Sequence, residues 1–283
     1  MAKSDKHPIL QHLSGLPDYQ SLTEELRSGL FTLSDRRGLG LPRAVRLALL
    51  ASLHKDLNVP IVLLTNRADR ALSLFDELNF WLPDGNNLYF PEPNPLFYEK
   101  LPWSESTRQE RLQVFAELSR LLLPGSVAEN KPPVIVAPIR AVMTRTIPRR
   151  DFLKAAMRVK LNDQRDLHAA TTAWVNLGYQ HSNIVVQPGQ FSRRGGILDV
   201  WSPAEPLPVR LEFFGDEVDT LRQFNPATQR TEARLEESII FPASEALPLA
   251  ALKQQVPMDS LSEFDLPLLY PYPASLVDYF PED

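Results

Sequence analysis

Two short runs of purely apolar residues lie far apart in the sequence, at Ile61–Leu64 and Val134–Ala137. A strand that is apolar at every position is typical of a strand buried on both faces, as in a parallel sheet covered by helices. Helical patterns separate these runs from a third, shorter one at Leu88–Phe90. Together they predict a parallel α/β layer within residues 20–148.

The pattern changes after Pro148. Asp166–Leu177 has a helical pattern and stops at Gly178, a residue type that commonly ends helices. Five strand-like segments follow: Ile184–Val186, Phe191–Arg194, Ile197–Trp201, Val209–Phe213 and Glu217–Phe224. Short strands joined by turns such as Gly215-Asp216 predict a small antiparallel α+β domain at residues 150–242.

The length of 283 residues is large for a single hydrophobic core, so more than one domain is expected. The change of pattern places an α/β domain at 1–149 and the α+β domain at 150–242. Residues 243–283 are rich in Pro and Leu and show little periodicity, so they are expected to form a short C-terminal piece.

Local signals predict where some elements begin. Ser21–Glu24 has the S-x-x-E pattern of a capping box, which predicts a helix start. Ser106–Gln109 has the related S-x-x-Q pattern and predicts another start. Phe31–Leu33 is expected to be a short strand.

Composition excludes several kinds of site. The chain has no cysteine, so disulfides, thiolate metal sites and cysteine nucleophiles are excluded. Its five histidines show no metal-binding spacing, and no apolar run is long enough to span a membrane. No apolar signal follows the N-terminal residues, which predicts a cytoplasmic protein. The net charge of −5 disfavours charge-driven DNA binding by the whole chain.

The loop Ser34–Gly40 precedes a helix, where an α/β nucleotide-binding domain carries its phosphate loop. A working phosphate loop needs a Lys for the phosphates and a hydroxyl for magnesium, and both are missing here. The loop is therefore either an ordinary connection or a weak anion site that uses Arg36 and Arg37. The acidic pair Asp76-Glu77 lies within a helical pattern and is interpreted as a solvated helix face.

The most informative segment is Gly189–Trp201, in which Arg193 and Arg194 precede Gly195-Gly196 and a strand. Adjacent strand residues point to opposite faces, so one arginine is expected on each face. A guanidinium on a rigid strand is a good anchor for a partner's carboxylate. The alternative is a solvated edge whose charges prevent strand pairing.

Three segments in succession resemble the excinuclease UvrB family: Gly189–Val200, Pro208–Val218 and Phe224–Arg230. The shared order is F-x-x-R-G-G-I-L-D-V, P-V-R-L-E-F-F-G-D-E-V and F-N-P-x-T-Q-R. Within this family the chain is most similar to the bacterial transcription-repair coupling factors. A looser resemblance extends upstream to roughly residue 20, at Phe97–Pro102, Arg108–Leu112 and Val134–Met143.

The resemblance implies a module similar to UvrB domains 1a, 2 and 1b. Domain 1a would be a degenerate P-loop-type α/β domain into which the small α+β domain 2 is inserted, and residues 243–283 would be the start of domain 1b or a C-terminal tail. Coupling factors have a degenerate nucleotide loop, in agreement with the missing Lys. The tyrosine-rich hairpin of UvrB, which follows the equivalent of Phe90, is replaced here by a proline-rich stretch. Damage probing is therefore not expected.

The resemblance also implies that domain 2 docks onto the repair protein UvrA. The F-x-x-R-G motif assigns this role to Arg194 and its neighbour Arg193, with Phe191 as an apolar contact. Gln180 and His181 lie at an upstream contact position where the family usually has Arg. A complete coupling factor would also bind RNA polymerase and double-stranded DNA. The chain is expected to be a non-catalytic adaptor without a cofactor.

Two other functions remain open from the residues alone. One is a UvrB-like, ATP-dependent DNA-binding subunit of an excinuclease. The other is a DNA-binding module that uses four arginines near the predicted domain boundary: Arg140, Arg145, Arg149 and Arg150. The alternative interpretation of these arginines is a solvated stretch between domains.

Overall fold

The computed structural model describes residues 8–29, 40–96, 98–123 and 131–280. The chain divides into two compact units. The first comprises Met1–Tyr89 and Pro124–Ile139, and the second comprises Phe90–Leu123 and Arg140–Asp283.

The first unit contains a three-stranded parallel sheet in the order β1-β3-β2, with helices around it. Its elements are α1 (Pro8–Ser14), α2 (Pro17–Arg27), α3 (Arg43–Leu57), β1 (Ile61–Thr65), α4 (Ala68–Trp81), β2 (Asn87–Tyr89) and β3 (Val134–Pro138). Every residue of the central strand β3 is buried. The parallel α/β layer predicted from the apolar runs is confirmed.

The predicted capping box at Ser21–Glu24 is wrong, because α2 begins earlier, at Pro17. Contacts with α3 hold this helix: the hydroxyl of Tyr19 donates to the carboxylate of Asp56 at 2.5 Å. Arg27 donates to the backbone oxygen of Asp56 at 2.8 Å. The strand expected at Phe31–Leu33 lies outside the described residues. Residues 34–39 of the loop Ser34–Gly40, which include Arg36 and Arg37, also lie outside the described residues.

The second unit is built on a six-stranded sheet in the order β10-β9-β8-β7-β6-β5 and a two-stranded sheet of β11 and β4. Its strands are β4 (Met157–Lys160), β5 (Gln180–His181), β6 (Gln190–Arg194), β7 (Ile197–Val200), β8 (Val209–Phe214), β9 (Glu217–Phe224), β10 (Thr231–Arg234) and β11 (Glu237–Ile240). Its helices are α5 (Glu105–Arg120), α7 (Arg149–Ala155), α8 (Leu167–Asn176), α9 (Pro248–Gln254) and α10 (Leu266–Leu269); α6 (Ile139–Met143) spans the division.

Three short 3-10 helices complete the second unit, at Met258–Ser260, Glu263–Asp265 and Leu276–Tyr279. A hydrophobic core lies on one face of the six-stranded sheet, where Trp174 of α8 packs with Leu198, Leu211 and Val218.

Two predictions for the six-stranded sheet are wrong. The sheet is not purely antiparallel, since β5 runs parallel to β6. Ile184–Val186 is a loop rather than a strand. The side chain of Gln190 accepts hydrogen bonds from the backbone N–H groups of Val186 and Gln187, at 3.0 and 3.1 Å, and so holds this loop.

The division of the structure differs from the expected boundary at residues 149 and 150. Helix α5 and its flanking residues group with the second half of the chain. Arg111 of α5 forms a buried ion pair with Glu245, with Nε and Oε1 2.6 Å apart. The ring of Phe115 stacks on Tyr279 with centroids 4.4 Å apart. These contacts join segments more than a hundred residues apart, which local sequence patterns do not reveal.

Candidate functional site

Two tight turns lie side by side at one end of the six-stranded sheet. Gly195-Gly196 joins β6 to β7, and Gly215-Asp216 joins β8 to β9. The backbone N–H of Phe213 donates to the oxygen of Gly196 at 2.8 Å, which ties one hairpin to the other. Gly195 and Gly215 have φ values of +59° and +64°, a region that favours glycine. We call residues 193–197 and 213–217 the hairpin end.

Arg193 lies on the hairpin end with an exposed side chain. It stands opposite Leu198 in the strand ladder, so it projects from the face of the sheet that carries the core. Within the described parts of the chain, no acceptor or carboxylate pairs with its guanidinium. It is therefore free to bind a carboxylate of a partner.

Arg194 projects from the opposite face, as the strand alternation predicts. Its side chain is 48% exposed, and Nη2 donates to Oδ2 of Asp199 at 2.9 Å. Asp199 is itself buried and also accepts from Nε and Nη2 of Arg210, at 2.6 and 2.8 Å. This hydrogen-bonded carboxylate raises the pKa of Arg210. Since two guanidinium groups share one carboxylate, this cluster keeps one unit of positive charge.

Gln180 and His181 form β5, which lies at the edge of the sheet beside β6. Both side chains are exposed. The ring of His181 meets the ring of Phe191 edge-to-face, with centroids 5.3 Å apart. The structure therefore brings Gln180 and His181 next to the strand that carries Arg193 and Arg194.

Phe191 does not lie on the surface. It is 3% exposed, and its ring packs edge-to-face against Trp174 with centroids 5.7 Å apart. Its position in β6, opposite the buried Val200, directs it into the core. The expected apolar contact between Phe191 and a partner is therefore wrong for this structure.

The exposed aromatic residue at this end is Phe214, whose 85% exposure is the highest among the large apolar residues described. Its neighbour Phe213 packs on the core, so Phe214 points to the other face, which also carries Arg194 and Glu212. The alternation in Val209–Phe213 already placed odd-numbered residues inside. Continuing this alternation to residue 214 places Phe214 on the outside, as the structure has it.

The face around Phe214 carries charges of both signs. Glu212 is paired with Arg222 and accepts from the hydroxyl of Thr220 at 2.8 Å. Glu217 accepts from the amide of Gln164 at 3.0 Å. A surface of this kind combines an apolar centre with polar surroundings, which is the usual composition of a protein interface.

The other candidate residues are dispersed. Asp76 and Glu77 are exposed on α4, as expected for a solvated helix face. The backbone oxygen of Phe280 accepts from Arg149 at 3.0 Å, so this guanidinium has an intramolecular role. The remaining three arginines of the possible DNA-binding group, Arg140, Arg145 and Arg150, are exposed.

A metal-binding cluster and a membrane-spanning helix are both absent from the described ranges, 8–29, 40–96, 98–123 and 131–280. There, no group of three or more His, Cys, Asp or Glu side chains is arranged to hold a metal ion. None of the helices in these ranges is long and apolar enough to cross a membrane.

Comparison with known proteins assigns the small α+β region to a family. Residues 157–245 match the UvrB interaction domain, and this span contains the hairpin end and β5.

Most of the chain is similar to curated proteins named transcription-repair-coupling factor. The identity is 34% over 230 residues with the protein of Myxococcus xanthus, which covers 81% of this chain and 19% of the relative. It is 29% over 230 residues with that of Bacillus subtilis strain 168, covering 81% and 18%. It is 27% over 231 residues with that of Escherichia coli K12, covering 81% and 19%. The chain thus spans about a fifth of the length of these relatives.

Proposed function

This chain is a relative of the transcription-repair-coupling factors and carries a UvrB interaction domain, and we propose that it is an adaptor that binds UvrA through the hairpin end. The observation that carries the proposal is the free guanidinium of Arg193 at the end of this domain's sheet. A cation on a rigid strand, with no carboxylate of its own chain to bind, is suited to a carboxylate on a partner.

Two neighbouring residues strengthen the proposal. Arg194 offers a second guanidinium that is already held in place by Asp199. Phe214 offers an exposed ring on the same face as Arg194. Arginine and aromatic residues are the side chains that most often dominate the binding energy of protein interfaces. Gln180 and His181 extend this surface along β5 and would add hydrogen bonds rather than a fixed charge.

For any longer protein that contains this chain, we propose the role that its relatives' name describes. Binding of UvrA by this domain would bring nucleotide excision repair to a stalled RNA polymerase. The parallel sheet of the first unit supports a degenerate P-loop-type domain with no catalytic role in this step. Contacts with RNA polymerase and double-stranded DNA would belong to other parts of such a protein.

A titration of labelled chain with purified UvrA tests the proposal. The test variant is Arg193→Ala plus Arg194→Ala. Loss of a charged contact that is buried on binding costs about 2–5 kcal/mol, so affinity should fall by roughly thirtyfold or more. The matched control is Arg140→Ala plus Arg145→Ala, which removes two exposed arginines outside the UvrB interaction domain. Equal affinity of the test variant and the unaltered chain would refute the assignment of the site.

The same proteins separate this proposal from the two alternative functions. Micromolar ATP binding by the chain would favour a UvrB-like ATP-dependent subunit. DNA binding that falls steeply with salt and is lost in the control variant would favour a DNA-binding module, because contacts with phosphates release counterions.

A further inference from the structure

Asp199 lies in the middle of a three-strand arrangement that carries the arginines of the proposed docking surface. In the ladder, Asp199 of β7 stands opposite Ser192 of β6 on one side and Arg210 of β8 on the other. Arg194 lies two residues beyond Ser192 on the same face. One buried carboxylate therefore receives guanidinium groups from both flanking strands.

The two arginines are held to different degrees. Arg210 is fixed on several sides: it binds both oxygens of Asp199, donates to Oε1 of Gln229 at 2.8 Å and stacks over the ring of Phe224 at 4.3 Å. Arg194 is half exposed, and among the residues that the structure describes it forms an ion pair with Asp199 alone. The carboxylate of Asp199 thus connects the long side chain of Arg194 to Arg210, which is fixed within the sheet.

Holding a long side chain in place before binding has a direct effect on affinity. A free arginine loses rotamer freedom when a partner captures it, and this loss weakens the complex. An arginine already held by a buried carboxylate has lost that freedom on folding. Its N–H groups that are not bound to Asp199 stay available, since a guanidinium has five N–H donors in a planar fork.

We propose that Asp199 is a positioning residue of the docking surface, which holds Arg194 over the sheet in the orientation that a partner's carboxylate binds. This inference rests on the proposed function for its biological meaning. It adds that a negatively charged residue, buried away from the partner, strengthens the binding of a negatively charged partner group.

The variant Asp199→Asn separates positioning from charge. It keeps the shape of the side chain and adds one unit of net positive charge to the surface. Electrostatic attraction alone would make association equal or faster and binding tighter. Positioning predicts the opposite: dissociation from UvrA about three- to tenfold faster, from the ordering of one or two side chains. Dissociation of a formed complex does not depend on the folded fraction, so a loss of stability does not imitate this result.

The matched control is Glu237→Gln. Glu237 is also a carboxylate between two cations, with Arg158 at 3.9 Å and Lys160 at 3.6 Å, but it lies in the two-stranded sheet. This variant should dissociate from UvrA at the unaltered rate. Surface plasmon resonance with immobilised UvrA measures all three rates. An unchanged or slower dissociation of Asp199→Asn overturns the inference.

A second readout needs no partner. Nitrogen-15 relaxation of arginine Nε–Hε groups reports the order of Arg194, whose signal is identified with Arg194→Lys. The signal should be ordered in the unaltered chain and mobile in Asp199→Asn, and equal order in both also overturns the inference. If the unaltered chain fails to bind UvrA, the proposed function is refuted. The relaxation result alone then decides whether Asp199 positions Arg194.

Discussion

Two phenylalanines of the same sheet should respond in opposite ways to truncation. Phe191 and Phe214 are both in the UvrB interaction domain, on neighbouring hairpins, yet one is 3% exposed and the other 85%. Phe191→Ala should lower stability, and Phe214→Ala should lower the affinity for UvrA. Each variant is the control for the other, because both remove the same ring.

The magnitudes follow from burial. Removing a core phenylalanine that packs on Trp174 costs about 3–5 kcal/mol of folding free energy. Removing Phe214 should change the folding free energy by less than about 0.5 kcal/mol, since its ring makes little contact within the chain. If the ring is buried against UvrA as an interface anchor, its loss costs about 2 kcal/mol or more, which is roughly a thirtyfold rise in Kd.

Urea unfolding monitored by tryptophan fluorescence measures stability, and titration with UvrA measures affinity. Binding is compared where circular dichroism shows both variants to be folded. Phe191→Leu serves as a milder substitute if Phe191→Ala does not fold. The reasoning is refuted if Phe214→Ala binds UvrA like the unaltered chain, or if its stability falls as far as that of Phe191→Ala.

Further predictions concern the stability of the second unit. Glu245→Gln should lower the free energy of unfolding, measured with urea, by about 3–5 kcal/mol, because it leaves the guanidinium of Arg111 buried without its counter-charge. The double variant Arg111→Met with Glu245→Leu should lose less stability, because it removes both charges. Equal losses of stability in the two variants would contradict this. Burial raises the pKa of Glu263 above its ordinary value of 4.5, so the folded chain binds a proton first as pH falls. As pH falls from neutral to about 4.5, the folding stability of the unaltered chain should therefore increase relative to that of Glu263→Gln, and it should decrease again as pH rises. Parallel pH profiles of the two proteins would contradict this. Gly195→Ala should cost about 1–2 kcal/mol from its positive φ alone, because an added Cβ meets no atom within 4 Å; an unchanged unfolding midpoint would contradict this.

Strands with a clear pattern were predictable from the sequence. Val134–Ala137 is apolar at every position, and the structure buries it in the centre of the parallel sheet. Val209–Phe213 alternates and becomes a strand with one face on the core. Ile184–Val186 has the same apolar character but lies in a loop, where Ile184 and Val186 are 50% and 54% exposed. The backbone N–H of Val186 in this segment donates to the side chain of Gln190, and local β-propensity does not reveal such a hydrogen bond.

The candidate site was predictable only in part. The sequence indicated Arg193 and Arg194 as candidate contacts and predicted that they project from opposite faces, as the structure has them. It did not reveal that Asp199 joins Arg194 to Arg210, because this cluster depends on the register of three strands. Register is set by turn length and by which face is buried, and both are properties of the folded sheet.

Hydrogen exchange of the chain with and without UvrA tests the docking surface most directly. Binding through the hairpin end predicts slower exchange of backbone amides in residues 190–197 and 212–217 and in the edge strand at 180–181. Amides of the arginine-containing stretch 139–150 should exchange at the same rate with and without UvrA. Protection of 139–150 by UvrA, with the hairpin end unchanged, would contradict the account.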